Sequence, residues 1–475
     1  MLGTERRLHP VLPLFALEDG DSALIYTPGH LCRIAAGEVE CLVRELERPR
    51  GAGSLARLAG TLRSFAQEAL RTWDAHVASP FAPESLILYL SNRCSLACRY
   101  CFAAEAPRSN EAPVLSEQAV RAAALLVVRS CAEKGRAFTL VLHGGGEPTL
   151  HFELIQRVVD ITREAAEKAG VAWNAHLATN GVVSEQRARW LAREIGSIGL
   201  SCDGPPEMHD GLRPRLSGGS SSDAVERTAR AVSAEGGRVQ VRATVMPETL
   251  ERQVEIVEYV GESLGAHVLR VEPAYVVRRR HRPLFAPSDA RRFVTHFLAA
   301  EAAARRLDMD LRCSAARLDE LHGPHCSALR DVLHLLPDGS ATACFFSVDG
   351  NSPAGGTTTI GRFDPGIGDL ILDVEALAAW RRRSGSVPAA CRDCLAQLHC
   401  ARECPEICWG RDGEGPRGGF RCRVARGLTE AWLRTRWARS IGSDPSPLEV
   451  ADPANAHWSG SDSRLSASPS DRSQG

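Results

Sequence analysis

The sequence lacks the features that mark membrane and secreted proteins. No stretch approaches the roughly 18 consecutive apolar residues of a membrane span, and the first residues, MLGTERRLHPVLPLF, show neither the apolar segment nor the cleavage site of a signal peptide. An excess of charge is also missing, because 57 basic residues face 58 acidic ones among 475 residues. We therefore expect a cytoplasmic protein with no membrane or nucleic-acid partner.

Cysteine, in contrast, is abundant, with 16 residues in the chain. Disulfides are rare in the cytoplasm, so this many thiols indicates metal binding. The distribution supports that interpretation, because three cysteines fall within residues 94–101 and six within residues 391–422, whereas five stand alone.

The middle of the chain alternates strand and helix patterns. The predicted strands are SLILYLS, FTLVLH, AHLATN, IGLSCD, VQVRATV and HVLRVEPAYV. Amphipathic segments separate them, such as the one that begins after the predicted N-cap Ser116 and stops at Gly135. This alternation predicts an α/β fold with a parallel sheet. Six units are too few for a closed eightfold barrel, so an open partial (β/α)6 TIM-like barrel or a doubly wound sheet fits.

Four regions follow from these patterns. Residues 1–80 read as a small N-terminal α+β domain, and residues 84–310 hold the strand and helix repeat. Residues 311–435 are rich in cysteine, glycine and proline and are predicted to be a domain held by metal rather than by a large core. Residues 440–475, rich in Ser, Asp and Pro, are predicted to be disordered.

The first cysteine group lies directly after the first predicted strand. NRCSLACRYCF places Cys94, Cys98 and Cys101 in a C-x3-C-x2-C spacing, and no fourth cysteine is nearby. Three thiolates leave one iron of a cubane cluster open, and such an iron can chelate a ligand and pass it an electron. A zinc site or three buried cysteines are the alternatives.

This spacing, with Tyr100 before the last cysteine, resembles the radical S-adenosylmethionine (SAM) superfamily. The resemblance implies a [4Fe-4S] cluster that binds SAM. It also implies that the glycine-rich HGGGEPTL after the second strand contacts the SAM amino group, through Gly144, Gly145, Gly146 and Glu147. Taken alone, this stretch would be an ordinary turn.

Two further strand ends resemble superfamily segments that contact SAM. Asn180 stands in ATNG, and Ser201 begins SCDGPPEMHD. The resemblance implies polar contacts from both, with Arg213 and Arg242 as further candidates for the SAM carboxylate. Plain turns and loop caps remain the alternative interpretation of these segments.

The second cysteine group resembles the SPASM domain, a C-terminal iron-sulfur extension of radical SAM enzymes that mature peptides and proteins. The resemblance implies two auxiliary [4Fe-4S] clusters, although zinc knuckles share such spacings. The ligands of the first cluster would be Cys326, Cys344 and Cys404, and those of the second Cys391, Cys394, Cys400 and Cys422.

The sequence departs from sulfatase-maturing members of that group at two positions. Val332 stands where they have an eighth cysteine, so the first auxiliary cluster either has an open iron or takes Cys408 or Cys313. Phe345 stands where they have an aspartate that acts as the catalytic base. A sulfatase-maturing activity that uses that base is therefore doubtful.

The resemblance implies a radical SAM oxidoreductase. In the reaction that this implies, SAM would be cleaved reductively to a 5'-deoxyadenosyl radical. We expect that radical to abstract hydrogen from a ribosomally made precursor peptide and to lead to its oxidation, most simply to a cross-link. Expected partners are that peptide or a small protein, and an electron donor such as flavodoxin or ferredoxin. Residues 1–80 resemble leader-peptide-binding domains, and Glu272 and Tyr275 end the sixth strand near the expected substrate. The alternatives are a SPASM-type dehydrogenase, a protein-activating maturase of the sulfatase type, and a non-catalytic iron-sulfur electron-transfer protein.

Overall fold

A computed structural model of the chain describes residues 5–48, 51–104, 112–274, 284–321, 323, 326–350, 358–402 and 418–440. The predicted ligands Cys404 and Cys408, Tyr275 and the tail after residue 440 lie outside the described residues. Within the described ranges, no helix is long and apolar enough to cross a membrane.

The N-terminal region forms an antiparallel sheet of four strands and two helices. The strands follow chain order, and successive residues face opposite sides. Leu14, Ala16 and Ile25 pack against the helices, whereas Phe15, Leu17, Leu24 and Tyr26 pack against residues from the C-terminal part of the chain. The elements are β1 (Glu5–Arg7), β2 (Phe15–Asp19), β3 (Ser22–Thr27), β4 (His30–Ala35), α1 (Val39–Glu47) and α2 (Ser54–Ala78).

All six predicted strands of the repeat form, parallel and neighbouring in chain order. They are β5 (Ser85–Leu88), β6 (Phe138–Leu142), β7 (Trp173–Thr179), β8 (Ser197–Ser201), β9 (Val239–Val245) and β10 (Val268–Pro273). Among the described residues the sheet stays open, so the predicted α/β fold with a partial barrel is confirmed.

Helices cover one face of this sheet. They are α3 (Glu117–Lys134), α4 (Phe152–Lys168), α5 (Glu185–Glu194), α6 (Pro206–Leu212), α7 (Ser222–Ala234), α8 (Gln253–Leu264) and α9 (Asp289–Arg306). Helix α3 has the predicted boundaries, because the Ser116 hydroxyl accepts a hydrogen bond from the Ala119 amide and Gly135 adopts a left-handed conformation at φ 62°.

The sheet also contains strands outside the six predicted ones. Strand β11 (Asp310–Arg312) pairs in parallel with β10, and β12 (Val332–Leu335) pairs in parallel with β5. Three antiparallel strands continue from β12, namely β13 (Ser340–Thr342), β14 (Thr359–Asp364) and β15 (Asp369–Leu372). Strands of three to six residues in a cysteine-rich and glycine-rich region have too little pattern to be recognised locally.

The cysteine-rich region is therefore built into the main core. Leu333, Leu335 and Ile360 are buried in the same apolar cluster as Leu86 and Leu88 of β5. Two helices complete the described part of this region, α10 (Val374–Gly385) and α11 (Phe420–Ser440).

Arg381 joins α10 to the rest of the protein. Its buried guanidinium donates to the backbone carbonyls of Ala328 and His76, to the carboxylate of Asp331 at 2.9 Å and to the hydroxyl of Ser79 at 2.7 Å. One side chain thus connects the end of α2, the segment before β12 and α10.

We expect Arg381→Met to lower the free energy of unfolding by about 3 kcal/mol, because it leaves buried carbonyls and a carboxylate without their donor. The neighbouring Arg382→Met is the matched control and should change it by less than about 0.5 kcal/mol, since Arg382 is exposed. Anaerobic urea unfolding of both variants measures the difference. Equal effects of the two substitutions would show that the hydrogen bonds of Arg381 do not contribute to the free energy of unfolding.

Candidate active site

A cavity of about 270 Å³ lies at the carboxyl ends of the parallel strands. In parallel α/β sheets this is where loops converge and sites are built. The cavity brings together nearly every residue predicted for cluster and cofactor binding near the first cysteine group. These are Cys94, Cys98, Cys101, Gly144, Gly145, Gly146, Glu147, Asn180, Ser201, Arg213 and Arg242.

The three cysteines lie on the loop after β5 and face this cavity. Burial raises the pKa of Cys98 to about 11, and the nearby thiols of Cys101 and Cys94 act in the same direction, whereas Arg213 opposes them. No fourth cysteine occurs among the described residues that line the cavity. Three adjacent thiols on one open loop fit a cluster with one exposed iron.

The three glycines are required by close packing against the cysteine loop. A Cβ atom on Gly144 would stand 2.3 Å from the Tyr89 ring, and one on Gly145 would stand 2.1 Å from the Asn92 side-chain oxygen. A Cβ on Gly146 would stand 2.1 Å from the Arg93 carbonyl oxygen. These glycines therefore let two loops touch, in addition to leaving backbone accessible from the cavity.

The Glu147 side chain also forms a structural link between two strand ends. Its carboxylate accepts hydrogen bonds from the amide and hydroxyl of Thr149, from the hydroxyl of Thr179 at 2.8 Å and from the amide of Asn180 at 2.7 Å. Burial raises the pKa of Glu147, and the hydrogen bonds oppose that shift. With three hydrogen bonds to Oε1 and one to Oε2, the carboxylate ties the end of β6 to the end of β7.

Asn180 connects the cofactor side of the cavity to the cysteine loop. Its side-chain amide donates to the Ser95 hydroxyl at 3.2 Å and approaches the Cys94 sulfur at 3.8 Å, while its oxygen accepts from the Val182 amide at 2.9 Å. Ser201, at the end of β8, lines the cavity beside it.

Arg213 is already paired within the protein. Its guanidinium binds both carboxylate oxygens of Asp203 at 2.9 and 3.1 Å, and Tyr100 donates a hydrogen bond to the same carboxylate. Arg213 also lies over the Tyr100 ring, with 5.3 Å from its guanidinium carbon to the ring centroid. This network links the aromatic residue of the cysteine loop to the segment after β8.

Sequence reasoning missed the aromatic wall of the cavity. Phe102, Phe345 and Phe346 pack against one another, and His143 contacts Phe345 with ring centroids 4.8 Å apart. Tyr89 donates a hydrogen bond to the Phe345 carbonyl. Burial lowers the pKa of His143 to about 3, so its imidazole is neutral at pH 7. The match of Phe345 to a catalytic aspartate indicated this position, whereas the packing of the three phenyl rings against one another depends on long-range folding.

The sequence also missed Arg270 and Arg330 as cavity residues. Arg270 lies on β10 and Arg330 precedes β12. Strand alternation provides a signal for the first, because Arg242 and Thr244 on β9 and Arg270 and Glu272 on β10 are spaced by two and share the inner face.

The described cysteines of the second group come together. Burial raises the pKa of Cys400 to about 12, and the thiols of Cys422 and Cys391 contribute to that shift. Burial also raises the pKa of Cys394, and the thiols of Cys400 and Cys422 contribute to that shift. These are the four residues predicted for the second auxiliary site.

The cysteines predicted for the first auxiliary site are only partly described. The Cys326 thiol lies 3.7 Å from the carbonyl of Ala343, the residue before Cys344. Cys313 is buried close to Glu272. Val332, in the place of an eighth cysteine, lines the cavity from β12.

The comparison with known protein families assigns the central part of the chain. Residues 88–260 match the model of the radical SAM superfamily. The chain contains a radical SAM domain. Such a domain implies a [4Fe-4S] cluster and SAM, and the thiols of Cys94, Cys98 and Cys101 would hold that cluster.

Known proteins that are similar to this chain extend this finding. The cysteine-type anaerobic sulfatase-maturating enzyme of Clostridium perfringens is 26% identical over 215 residues, which are 44% of this chain and 57% of that enzyme. The match thus spans little more than half of the relative's length. The solved structure of native anSMEcpe with bound AdoMet covers 76% of this chain and 98% of its own, at 18% identity and a TM-score of 0.59. Its complex with AdoMet and the Cp18Cys peptide gives 18% identity and a TM-score of 0.58. At this identity the structures show a shared fold.

In the radical SAM domain, we expect Gly146→Ala to lower the free energy of unfolding by about 3 kcal/mol, because the added methyl meets a backbone carbonyl that cannot move aside. The iron retained per chain after anaerobic reconstitution should fall as well. Gly211→Ala on α6 is the control, since no atom lies within 4 Å of its added Cβ. Unchanged stability and iron content in Gly146→Ala would contradict the packing role.

Buried His176 should make the stability pH-dependent. Burial, with Arg270 nearby, lowers its pKa to about 4 from 6.5. Between pH 6.5 and 4, His176 is protonated in the unfolded chain but not in the folded protein. The free energy of unfolding therefore decreases as the pH falls from 6.5 towards 4.

We expect the stability difference between wild type and His176→Gln to narrow by about 1.4 kcal/mol for each pH unit below 6.5. Urea unfolding at pH 7.5 and 5.5 measures it. The exposed His267→Gln variant should show no such narrowing. A stability difference between wild type and His176→Gln that stays the same at both pH values would contradict a lowered pKa of His176.

Proposed function

We propose that this protein is a radical SAM maturase that oxidises a ribosomally made precursor peptide, most simply to a cross-link. The observation that carries the proposal is the composition of one cavity. Cluster thiols, predicted cofactor contacts, aromatic rings and arginine side chains all line it. The match to the sulfatase-maturating enzyme and the shared fold with a peptide-bound structure support a peptide or protein substrate.

Cofactor binding would fall to the strand ends β5 to β8. Cys94, Cys98 and Cys101 would hold the cluster, and the segment 144–146 with Asn180 and Ser201 would contact SAM. When bound, the cluster and SAM supply one-electron reductive cleavage and a radical that removes hydrogen from an unactivated carbon. An electron donor such as flavodoxin or ferredoxin would reduce the cluster.

The aromatic wall of the cavity would position the substrate and exclude water. Phe102, Phe345 and Phe346 provide an apolar surface against which a peptide carbon can pack close to the cofactor. Glu272 is our candidate for accepting the proton that oxidation releases. Its carboxylate lines the cavity and accepts two hydrogen bonds, both from Ser314, whereas the carboxylate of Glu147 accepts four.

The cysteine-rich region would carry the second electron away. The grouping of Cys391, Cys394, Cys400 and Cys422 supports an auxiliary [4Fe-4S] cluster there. Cys326 and Cys344, with Cys404, would bind another. Domain boundaries near residues 80, 310 and 435 remain part of this proposal.

The N-terminal sheet would recruit the precursor by adding a strand of its leader. Strand β1 is held by ion pairs from Glu5 to Arg426 and from Arg7 to Asp393. The half-exposed edge strand β4 is therefore the better candidate for pairing with a peptide.

Oxidation of a sulfatase-type protein is the second candidate. The 26% identity to the sulfatase-maturating enzyme favours it. Phe345 in the cavity, at the position predicted to match a catalytic aspartate, disfavours it because a phenyl ring accepts no proton.

The test is anaerobic co-expression with short peptides encoded beside the gene, followed by mass spectrometry. We expect a loss of about 2 Da per modified site, one pair of hydrogen atoms, and no change with the Cys94→Ala variant. Fragmentation locates the new bond. An unchanged peptide mass while wild type cleaves SAM would overturn the cross-linking proposal, and oxidation of a sulfatase-derived peptide would establish the second candidate.

A further inference from the structure

Three arginines stand in one row across the sheet. Arg242 on β9 pairs in register with Arg270 on β10, which pairs in register with Arg312 on β11. Ser201 on β8 continues the row on the cofactor side, next to Arg242. Neighbouring strands lie about 4.8 Å apart. The three arginine side chains therefore extend from adjacent backbone positions.

Members of this row differ in whether they have a carboxylate partner. Arg312 is paired with Asp310, and it does not line the cavity. Arg242 and Arg270 do line the cavity, and within the described residues neither forms an ion pair or a side-chain hydrogen bond.

Other arginines of the cavity are neutralised from within the protein. Arg213 is paired with Asp203, and Arg330 with Glu320 at 3.5 Å. Two of the four arginines that line the cavity are thus paired with a carboxylate of the protein, whereas within the described residues Arg242 and Arg270 are not.

Leaving these two charges together carries a cost in folding free energy. Like charges side by side repel one another, and a guanidinium removed from water keeps five donors to satisfy. Burial, together with nearby Arg317 and Arg242, lowers the pKa of Arg270 to about 10, while Glu272 opposes the shift. A fold that retains such a pair at a cavity wall is arranged to receive an anion.

Most of the predicted cofactor contacts end the strands β6, β7 and β8. Arg242, itself a candidate for the SAM carboxylate, lies on β9 next to Ser201, and Arg270 lies one strand further away on β10. Glu272 follows two residues after Arg270 on the same face, so the anion would be bound beside the candidate proton acceptor.

We propose that Arg242 and Arg270 bind a carboxylate of the substrate peptide, from an acidic side chain or from its C-terminus. The inference rests on the proposed function, because it names the chemical class of group that the maturase recognises. A planar carboxylate matches the fork of a guanidinium and can bridge two of them. The bound carboxylate would hold the adjacent carbon between the aromatic wall and the predicted cofactor contacts.

A binding experiment tests this without requiring turnover. The probes are acetyl-Gly-Gly-Glu-Gly-Gly-amide, its Gln counterpart, and acetyl-pentaglycine with a free or an amidated C-terminus, each titrated calorimetrically into anaerobic, SAM-loaded holoenzyme. We expect one carboxylate peptide to bind about tenfold more tightly than its neutral counterpart. The Glu and Gln pair reports an acidic side chain, and the acetyl-pentaglycine pair reports the C-terminus.

Two variants locate the effect. Arg270→Gln should abolish the preference for the carboxylate peptide, whereas Arg312→Gln, from the same row but outside the cavity, should retain it. The SAM dissociation constant of Arg270→Gln should stay within about threefold of wild type. A large loss of SAM affinity would instead assign Arg270 to the SAM carboxylate and overturn the proposal, as would equal binding of all four peptides.

Stability separates this role from a structural one. Removing a charge that has no partner within the described residues should leave the Tm of Arg270→Gln unchanged or raised. Arg213→Gln, which breaks a buried ion pair, should lower it. A fall in Tm for Arg270→Gln comparable to that of Arg213→Gln would show that Arg270 supports the fold. Peptide binding and Tm can both be measured without product formation. Failure to modify any peptide would therefore count against the proposed function, whereas the binding titration alone decides whether Arg242 and Arg270 bind a carboxylate.

Discussion

Contact between the glycine segment 144–146 and residues 89–93 is the constraint on which the cavity depends. Each of the three glycines lies where a Cβ atom would overlap the other loop, so the two loops can only meet if all three lack side chains. The contact brings the cysteine loop against the end of β6. Glu147 then extends the same arrangement to β7, because its buried carboxylate accepts hydrogen bonds from Thr179 and Asn180. Positions on three strand ends are thereby fixed relative to one another.

The arginine side chains that line the cavity differ in whether a carboxylate of the protein balances their charge. On the side of the cysteines, Arg213 is held by Asp203 and Tyr100, so its charge is balanced locally. Arg242 and Arg270, in contrast, have no carboxylate partner within the described residues, and burial keeps the His143 imidazole neutral. A site that remains positive and sheltered from water strengthens its interaction with an incoming anion.

The C-terminal half of the chain supplies much of the wall that would face substrate. Strand β12 pairs with β5, which places Val332, His334 and Phe345 opposite the ends of β6 to β10. Arg381 ties the same region to α2, and the Trp73 indole of α2 donates to the Gly385 carbonyl at the end of α10. The cavity is therefore completed by segments more than 200 residues apart in the chain.

The sequence by itself determined the six central strands, the boundaries of α3 and the placement of three cysteines and a glycine-rich turn at one end of the sheet. Each follows from a local signal, namely hydrophobic periodicity, capping residues or ligand spacing, and strand ends of a parallel sheet necessarily meet on one edge. Tertiary structure alone decided that Arg213 is paired with Asp203, that Glu147 ties two strands together, and that Phe102, Phe345 and Phe346 pack into one aromatic wall. Those outcomes depend on partners from other strands and loops, and a residue's own neighbours in the chain carry no record of them.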